Sequence, residues 1–207
     1  KSLPSRVRVL DICCGKGGDL WKWRDVSRVS HYVGIDSSSF SINEACLRAK
    51  QVGDALSTRF EVLDARQDED WESIFGGKFH VLSIQFALHY FFSSEKTARN
   101  FFKRAFSACE QGGCMIATFP SCDIVLGILE GLREPPPNMV FETDARLASS
   151  KPIPYRFTLE GSVPGLPEHT IPVYMMEKLC DETGWIPQHI STFNDLYHSY
   201  IFQKKSS

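Results

Sequence analysis

Five short apolar runs, each followed by a segment with helical spacing, set the strongest limit on how this 207-residue chain folds. RVRVLDI (6–12), HYVGID (31–36), RFEVLD (59–64), FHVLSIQF (79–86) and GCMIATF (113–119) are rich in β-branched and aromatic residues and have strand length. Between them, residues 18–24 read as the start of a helix, and 40–52 as a helix with apolar residues at Phe40, Ile42, Ala45, Cys46 and Ala49. Residues 94–110 read as a helix opened by Ser93 and Ser94, with Glu95 in its first turn. Strands that alternate with helices become parallel neighbours, because each return to the same end of the sheet needs a long, right-handed crossover. The expected class is α/β: a doubly wound, mostly parallel sheet with helices on both faces.

After a further helix over 123–132 the rhythm breaks at REPPP (133–137), and no helical period returns for about thirty-five residues. Residues 133–172 are expected to form a small insertion after the fifth strand, with strand-like pieces at 139–143 and 155–160 and a proline-spaced loop at 163–168. A helix over 173–183 stops at Gly184, and 188–193 with 199–202 form a closing antiparallel strand pair, which makes the sheet seven-stranded. This length suffices for one well-buried core and is marginal for two, so a single domain over 1–207 is expected. No apolar run approaches the roughly 20 residues needed to span a bilayer, and the opening residues lack the apolar core of a signal peptide, as in a soluble intracellular protein. Seven cysteines, an odd number without tight repeated spacing, read as reduced thiols, and no Cys-x2-Cys pair faces a second one to hold a structural metal. The net charge of -2 argues against broad, nonspecific nucleic-acid binding and leaves room for a small basic cluster on a few phosphates.

In a doubly wound sheet the ligand sits beyond the carboxyl ends of the strands, where strand order reverses. The stretch DICCGKGGD (11–19) falls there. Gly15, Gly17 and Gly18 remove side chains where the backbone turns sharply, and Asp36, at the end of the second strand, suits ribose hydroxyls. A glycine turn alone fits a nicotinamide dinucleotide equally well. This turn, however, is bracketed by Asp11 and Asp19, and Asp64 ends the third strand. Carboxylates repel a pyrophosphate and attract a sulfonium and an ammonium. The expected cofactor is S-adenosylmethionine, leaving as S-adenosylhomocysteine.

Three segments together, CGKGGDLWKW (14–23), QFALHY (85–90) and LEGSVPGLPE (159–168), closely resemble the mRNA cap guanine-N7 methyltransferases, and the likeness covers nearly the whole chain. The resemblance implies a Rossmann-like class I methyltransferase fold, a role in mRNA capping in the nucleus, and the 5' end of capped RNA as substrate. Other capping enzymes and the transcription machinery are the partners it suggests. Asp36 would then hold the ribose and Asp64 would lie near the adenine. Gln85 and Tyr90 would complete a cofactor pocket with Asp11, Cys13, Gly15 and Asp19. Lys16, Lys22, Arg48, His89 and Glu168 would face the cap, with a tyrosine near the C-terminus. Counting back from Gln203 and Lys204 favours Tyr197, whereas TFNDLY (192–197) also matches a segment that the family places before a long excursion, which favours Tyr200; Tyr197 is preferred. Two departures stand out. Cys13 occupies a position where the family has glycine, and the family supplies a lysine from a helix upstream of the first strand, whereas this chain starts too late to contain it, as a piece of a longer protein would.

Guanine N7 has a free lone pair and no proton, so its methylation needs no general base; His89 and Glu168 are expected to position the base rather than to exchange protons. A carboxylate beside guanine accepts from N1–H and the amino group and balances the charge that N7 methylation creates. Lys16, Lys22 and Arg48 would cluster on one rim to meet a triphosphate. Phe86, Phe91 and Phe92 read as core residues rather than as a stacking face. Two other readings stay open: a methyltransferase of the same fold on a different substrate, and a non-catalytic cofactor- or RNA-binding subunit. An oxidoreductase is a distant further one.

Overall fold

The computed structural model describes residues 6–147, 151–193 and 195–205; the opening residues 1–5 lie outside them. The expected runs form the strands β1 (Val7–Ile12), β2 (Val29–Asp36), β3 (Ser57–Val62), β4 (Phe79–Gln85) and β5 (Cys109–Pro120). The crossovers carry the helices α1 (Leu20–Asp25), α2 (Ser39–Val52), α3 (Trp71–Phe75) and α4 (Glu95–Ala108), and a 3-10 turn (Leu88–Ser93) precedes α4. Serine side chains start the two long helices: Ser38 accepts from the Ser41 amide and Ser94 from the Thr97 amide. On α2 the buried residues are Ile42, Ala45 and Val52, while Phe40 and Cys46 are exposed.

The remaining elements are α5 (Cys122–Leu129), β6 (Met139–Glu142), β7 (Pro154–Leu159), β8 (Val163–His169), α6 (Val173–Thr183), β9 (Trp185–Phe193) and β10 (Tyr197–Lys204). The large sheet runs β3-β2-β1-β4-β5-β10-β9, parallel from β3 to β5 and antiparallel at β10 and β9. A seven-stranded, mostly parallel sheet with a closing antiparallel pair is therefore present. Strand order reverses between β1 and β4, which opens a crevice beyond their carboxyl ends.

The insertion folds as a second, antiparallel sheet, β6-β7-β8. Here the expectation of a proline-spaced loop at 163–168 is corrected: β8 is a strand, paired to β7 along one side and an edge along the other. Proline lacks an N–H, and an edge strand is the place in a sheet that tolerates it. The main core is built around an aromatic cluster of Trp71, Phe91, Phe92, Phe101, Phe102 and Phe202, so Phe91 and Phe92 pack inside as expected. Phe86 does not; it is half-exposed, with φ +55. No described helix is long and apolar enough to cross a membrane.

Candidate functional site

The turn after β1 is held by backbone bonds and by one carboxylate. Cys13, Gly15 and Gly17 all take positive φ, at 57°, 53° and 68°. Glycine reaches that region freely, while Cys13 is held there against its Cβ. The Cys14 amide bonds to the Ile35 carbonyl at 3.0 Å, and the Gly15 amide donates to Asp36 Oδ2 at 3.0 Å, so the turn is pinned to the end of β2. Packing is close where the turn meets β2: a Cβ on Gly34 would come within 2.8 Å of the Phe60 ring and 2.9 Å of Cys14 Sγ. Asp36 Oδ1 accepts from the Ser38 amide at 2.9 Å. Each Asp36 oxygen thus accepts one backbone bond and keeps acceptor capacity.

The acidic flanks differ from the bare charges expected from the sequence, because each has its own partner. Asp11 is buried, accepts from the Tyr32 hydroxyl at 2.6 Å, and is raised to about 7 chiefly by burial. Asp19 pairs with Lys22 at 2.5 Å. Asp64 is clamped by Arg66, whose Nε and Nη2 donate at 3.0 and 2.8 Å, and this holds the Asp64 carboxyl below its ordinary value.

Two cavities meet the turn at its two ends. At its start, Cys13, Ser37, Leu63, Asp64, Arg66 and Tyr90 share a cavity of about 320 Å³, whose wall also takes in Pro167 and His169 of β8. At its end, Asp19, Lys22, Ser83, Gln85 and Phe86 line a cleft of about 270 Å³. Gln85 is fixed there by Thr118, whose hydroxyl donates to Oε1 at 2.8 Å, while its amide leans on Ser83 and the Ile116 carbonyl. The cofactor residues expected from the sequence therefore divide between two sides of one turn.

Glu168 lies opposite Tyr155 in the β7–β8 register, and the two side chains meet. The Tyr155 hydroxyl donates to Oε2 at 2.7 Å and the Tyr90 hydroxyl to Oε1 at 3.4 Å, and Glu168 is 4% exposed. His89 Nε2 lies 3.3 Å from the same Oε1, at ion-pair distance but not aligned as a hydrogen bond. Neither nitrogen of this buried imidazole has a hydrogen-bond partner among the described residues. Tyr197 stands edge-on to Phe86, with ring centroids 4.9 Å apart, and burial together with the nearby Glu168 charge pushes its hydroxyl up to about 12. It also walls a cavity of about 650 Å³ with Ile124, Ile128, Pro136, Pro137 and Met139. Tyr200 stacks instead on Phe119 and Phe202, away from Glu168.

The basic residues are not drawn together by any direct contact. Lys16 lies over the Phe40 ring at 5.2 Å, Lys22 is tied to Asp19, and Arg48 is half-buried two turns further along α2. Tyr32, Tyr155, Arg66 and Thr118 were missed by sequence reasoning. None had a usable signal in the sequence: Tyr155 meets Glu168 only through the pairing of β7 with β8, and Tyr32, Arg66 and Thr118 through contacts that periodicity does not show. Among the described residues no group of three or more His, Cys, Asp or Glu is placed to hold a metal ion.

Comparison with known proteins shows the family and the fold. The chain is 30% identical over 213 residues to an mRNA cap guanine-N(7) methyltransferase of Schizosaccharomyces pombe, covering 95% of this chain and 58% of that protein. It is 31% identical over 219 residues to mRNA cap guanine-N(7) methyltransferase 1 of Oryza sativa, covering 93% and 57%. The chain thus spans little more than half the length of these curated relatives. Among solved structures it is similar in fold to an S-adenosylmethionine-dependent methyltransferase from Clostridium acetobutylicum, with a TM-score of 0.69, 14% identity, and 96% and 84% of the two chains covered. It is similar also to a magnesium protoporphyrin IX methyltransferase from Synechocystis with bound SAH, with a TM-score of 0.62, 15% identity, and 97% and 75% covered. Residues 2–207 match the family described as the mRNA (guanine-N(7))-methyltransferase domain, and the chain belongs to that family.

Proposed function

We propose that this chain, as one domain, transfers a methyl group from S-adenosylmethionine to N7 of the 5'-terminal guanosine of capped mRNA. The observation that carries this reading is the buried Glu168 carboxylate. Tyr155, Tyr90 and His89 surround it, and Tyr90 also walls the cavity at the glycine turn. Bound there, the cofactor supplies an electrophilic methyl on a cationic sulfur. The residues fit it: the turn is bare of side chains at Gly15, and Asp36 keeps one acceptor position on each oxygen for a pair of ribose hydroxyls.

On the substrate side, Glu168 has acceptor capacity left for guanine N1–H and amino groups, and its charge offsets the cation formed as N7 is methylated. The unpartnered His89 nitrogens and the Tyr197 ring hold the base, and the cavity beside Tyr197 has room for a nucleoside. Lys16, Lys22 and Arg48 take the phosphates through extended side chains. No side chain acts as a general base, because N7 carries no proton. Alignment of N7 with the methyl can itself supply several kcal/mol, up to roughly 7 to 11 in intramolecular models. The insertion, residues 133–172, thus serves as the floor of the cap pocket. The reading places the protein in the nucleus, beside other capping enzymes.

The test is methyl transfer from labelled S-adenosylmethionine to capped RNA, with uncapped RNA of the same sequence as control. Transfer confined to capped RNA is expected. Transfer to both substrates would point to another acceptor, and absence of transfer by the full-length protein would leave a binding subunit.

A further inference from the structure

Resting on that cofactor reading, we infer that Arg104 is a positioning residue for the cofactor: from α4 it holds the short turn that carries Asp64. Arg104 is 8% exposed, an uncommon place for a guanidinium. Its Nε has no hydrogen-bond partner among the described residues. The bond it does make runs from Nη1 to the carbonyl oxygen of Ala65, at 3.1 Å and across 39 residues of sequence. Its guanidinium carbon lies over the ring of the buried Trp71, 5.3 Å from the centroid, so α3 and α4 together fix where that donor stands. A buried cation costs more than an apolar side chain of the same size. An apolar residue would fill this place at less cost, and what it would lose is the hold on Ala65.

That hold matters because of what lies beside it. Leu63, Asp64, Ala65 and Arg66 all wall the 320 Å³ cavity at the glycine turn. The chain leaves β3 tied to β2 by the Leu63 amide, which donates to the Asp36 carbonyl at 2.9 Å, and it folds back at once, with the Gln67 amide on the Asp64 carbonyl at 2.9 Å. Arg104 anchors the middle of this turn to the core. Ala65 is buried, so its carbonyl without the guanidinium must shift to find another donor, and the shift carries Asp64 and the cavity wall with it. Arg104 thus acts on the cofactor through the turn, without touching it.

Calorimetry with S-adenosylhomocysteine on the cofactor-free protein tests this role. Arg104→Met keeps most of the volume and removes the donor, an exchange that a core tolerates. Its affinity is expected to fall about fivefold, a fraction of what a hydrogen bond from a charged donor is worth. 5'-Methylthioadenosine, which lacks the amino-acid end, should lose the same factor, because the cofactor reading sets Asp64 on the adenine side. In the transfer assay the KM for S-adenosylmethionine should rise alike, with kcat and the KM for capped RNA little changed, the pattern of lost uniform binding. A purely structural Arg104 would lower the melting temperature and leave the affinity of the folded protein alone. Arg104→Gln, too short to keep the Ala65 bond, should lose as much affinity, and it decides the matter should the methionine variant not fold. Wild-type affinity in the folded variant overturns the role, as does a loss seen with S-adenosylhomocysteine but not with methylthioadenosine. Wild type that binds neither compound overturns the cofactor reading itself.

Discussion

Glu168 and Asp36 are both carboxylates with backbone or hydroxyl donors around them, yet their surroundings assign them different work. Glu168→Ala is expected to lower methyl transfer by roughly a hundredfold, the scale of losing one preorganised electrostatic contact, with cofactor affinity nearly unchanged. Glu168→Gln, whose one oxygen can still accept from Tyr155, should lower transfer with a smaller loss of melting temperature than Glu168→Ala. Asp36→Ala should instead weaken S-adenosylhomocysteine binding by at least tenfold, since it removes a charged acceptor and the bond that pins the Gly15 amide. Calorimetry beside the transfer assay separates the two, and an equal loss of cofactor binding in Glu168→Ala would contradict its place on the substrate side. Asp11 makes a prediction about pH. Its carboxyl sits near 7 in the folded chain against an ordinary value of 3.8, so the folded state holds the proton more tightly. Stability is therefore lost as pH rises from about 4 to about 7, by up to about 4 kcal/mol, and is flat above that. Asp11→Asn, which still accepts from Tyr32, should gain on wild type across that window in thermal melts of the free protein. A difference that does not vary with pH would show that Asp11 ionises freely.

At the scale of elements, the strands were legible because β-branched runs separated by helical spacing have one economical arrangement, and the glycine turn marked which end carries the ligand. β8 was not legible. Pro164 and Pro167 are loop signals in any local reading, and only the absence of a second neighbour strand makes them acceptable. For the same reason the surroundings of Glu168 could not be read: Tyr90 and His89 come from a different sheet end, 78 and 79 residues away, and only pairing of β7 with β8 sets Tyr155 opposite. The end of α6 was legible and can be tested. Gly184 has φ +90, and a Cβ there would stand 2.7 Å from the Phe106 ring. Gly184→Ala combines backbone strain of about 1 to 2 kcal/mol with overpacking of about 1 to 3. The melting temperature should fall by roughly 5 °C or more; a variant melting within a degree of wild type would show that the ring yields freely.

For the whole molecule, a net charge of -2 leaves the proposed grip on RNA phosphates to a few local cations rather than to a broad field. With three of them on the phosphates, the affinity for capped RNA should fall with salt at a log–log slope of about -2, the single-strand value for three contacts. Filter binding across a salt series measures it, and a slope steeper than about -4 would require a phosphate path these residues do not provide. Seven strands were countable in the sequence, but their order at the antiparallel edge was not, since periodicity says nothing about which of two late strands lies inside.

That order has a consequence for how the protein is made. In the large sheet, β10 lies between β5 and β9, although β9 precedes it along the chain. As the chain leaves the ribosome, β9 has no neighbour in that sheet to join, and it waits until the following strand emerges and both dock on β5 together. The glycine turn belongs to β1 and β2 and is assembled from chain that appeared first, whereas Tyr197 opens β10. The residues of the proposed site are therefore all present only once β10 has been synthesised, long after the glycine turn.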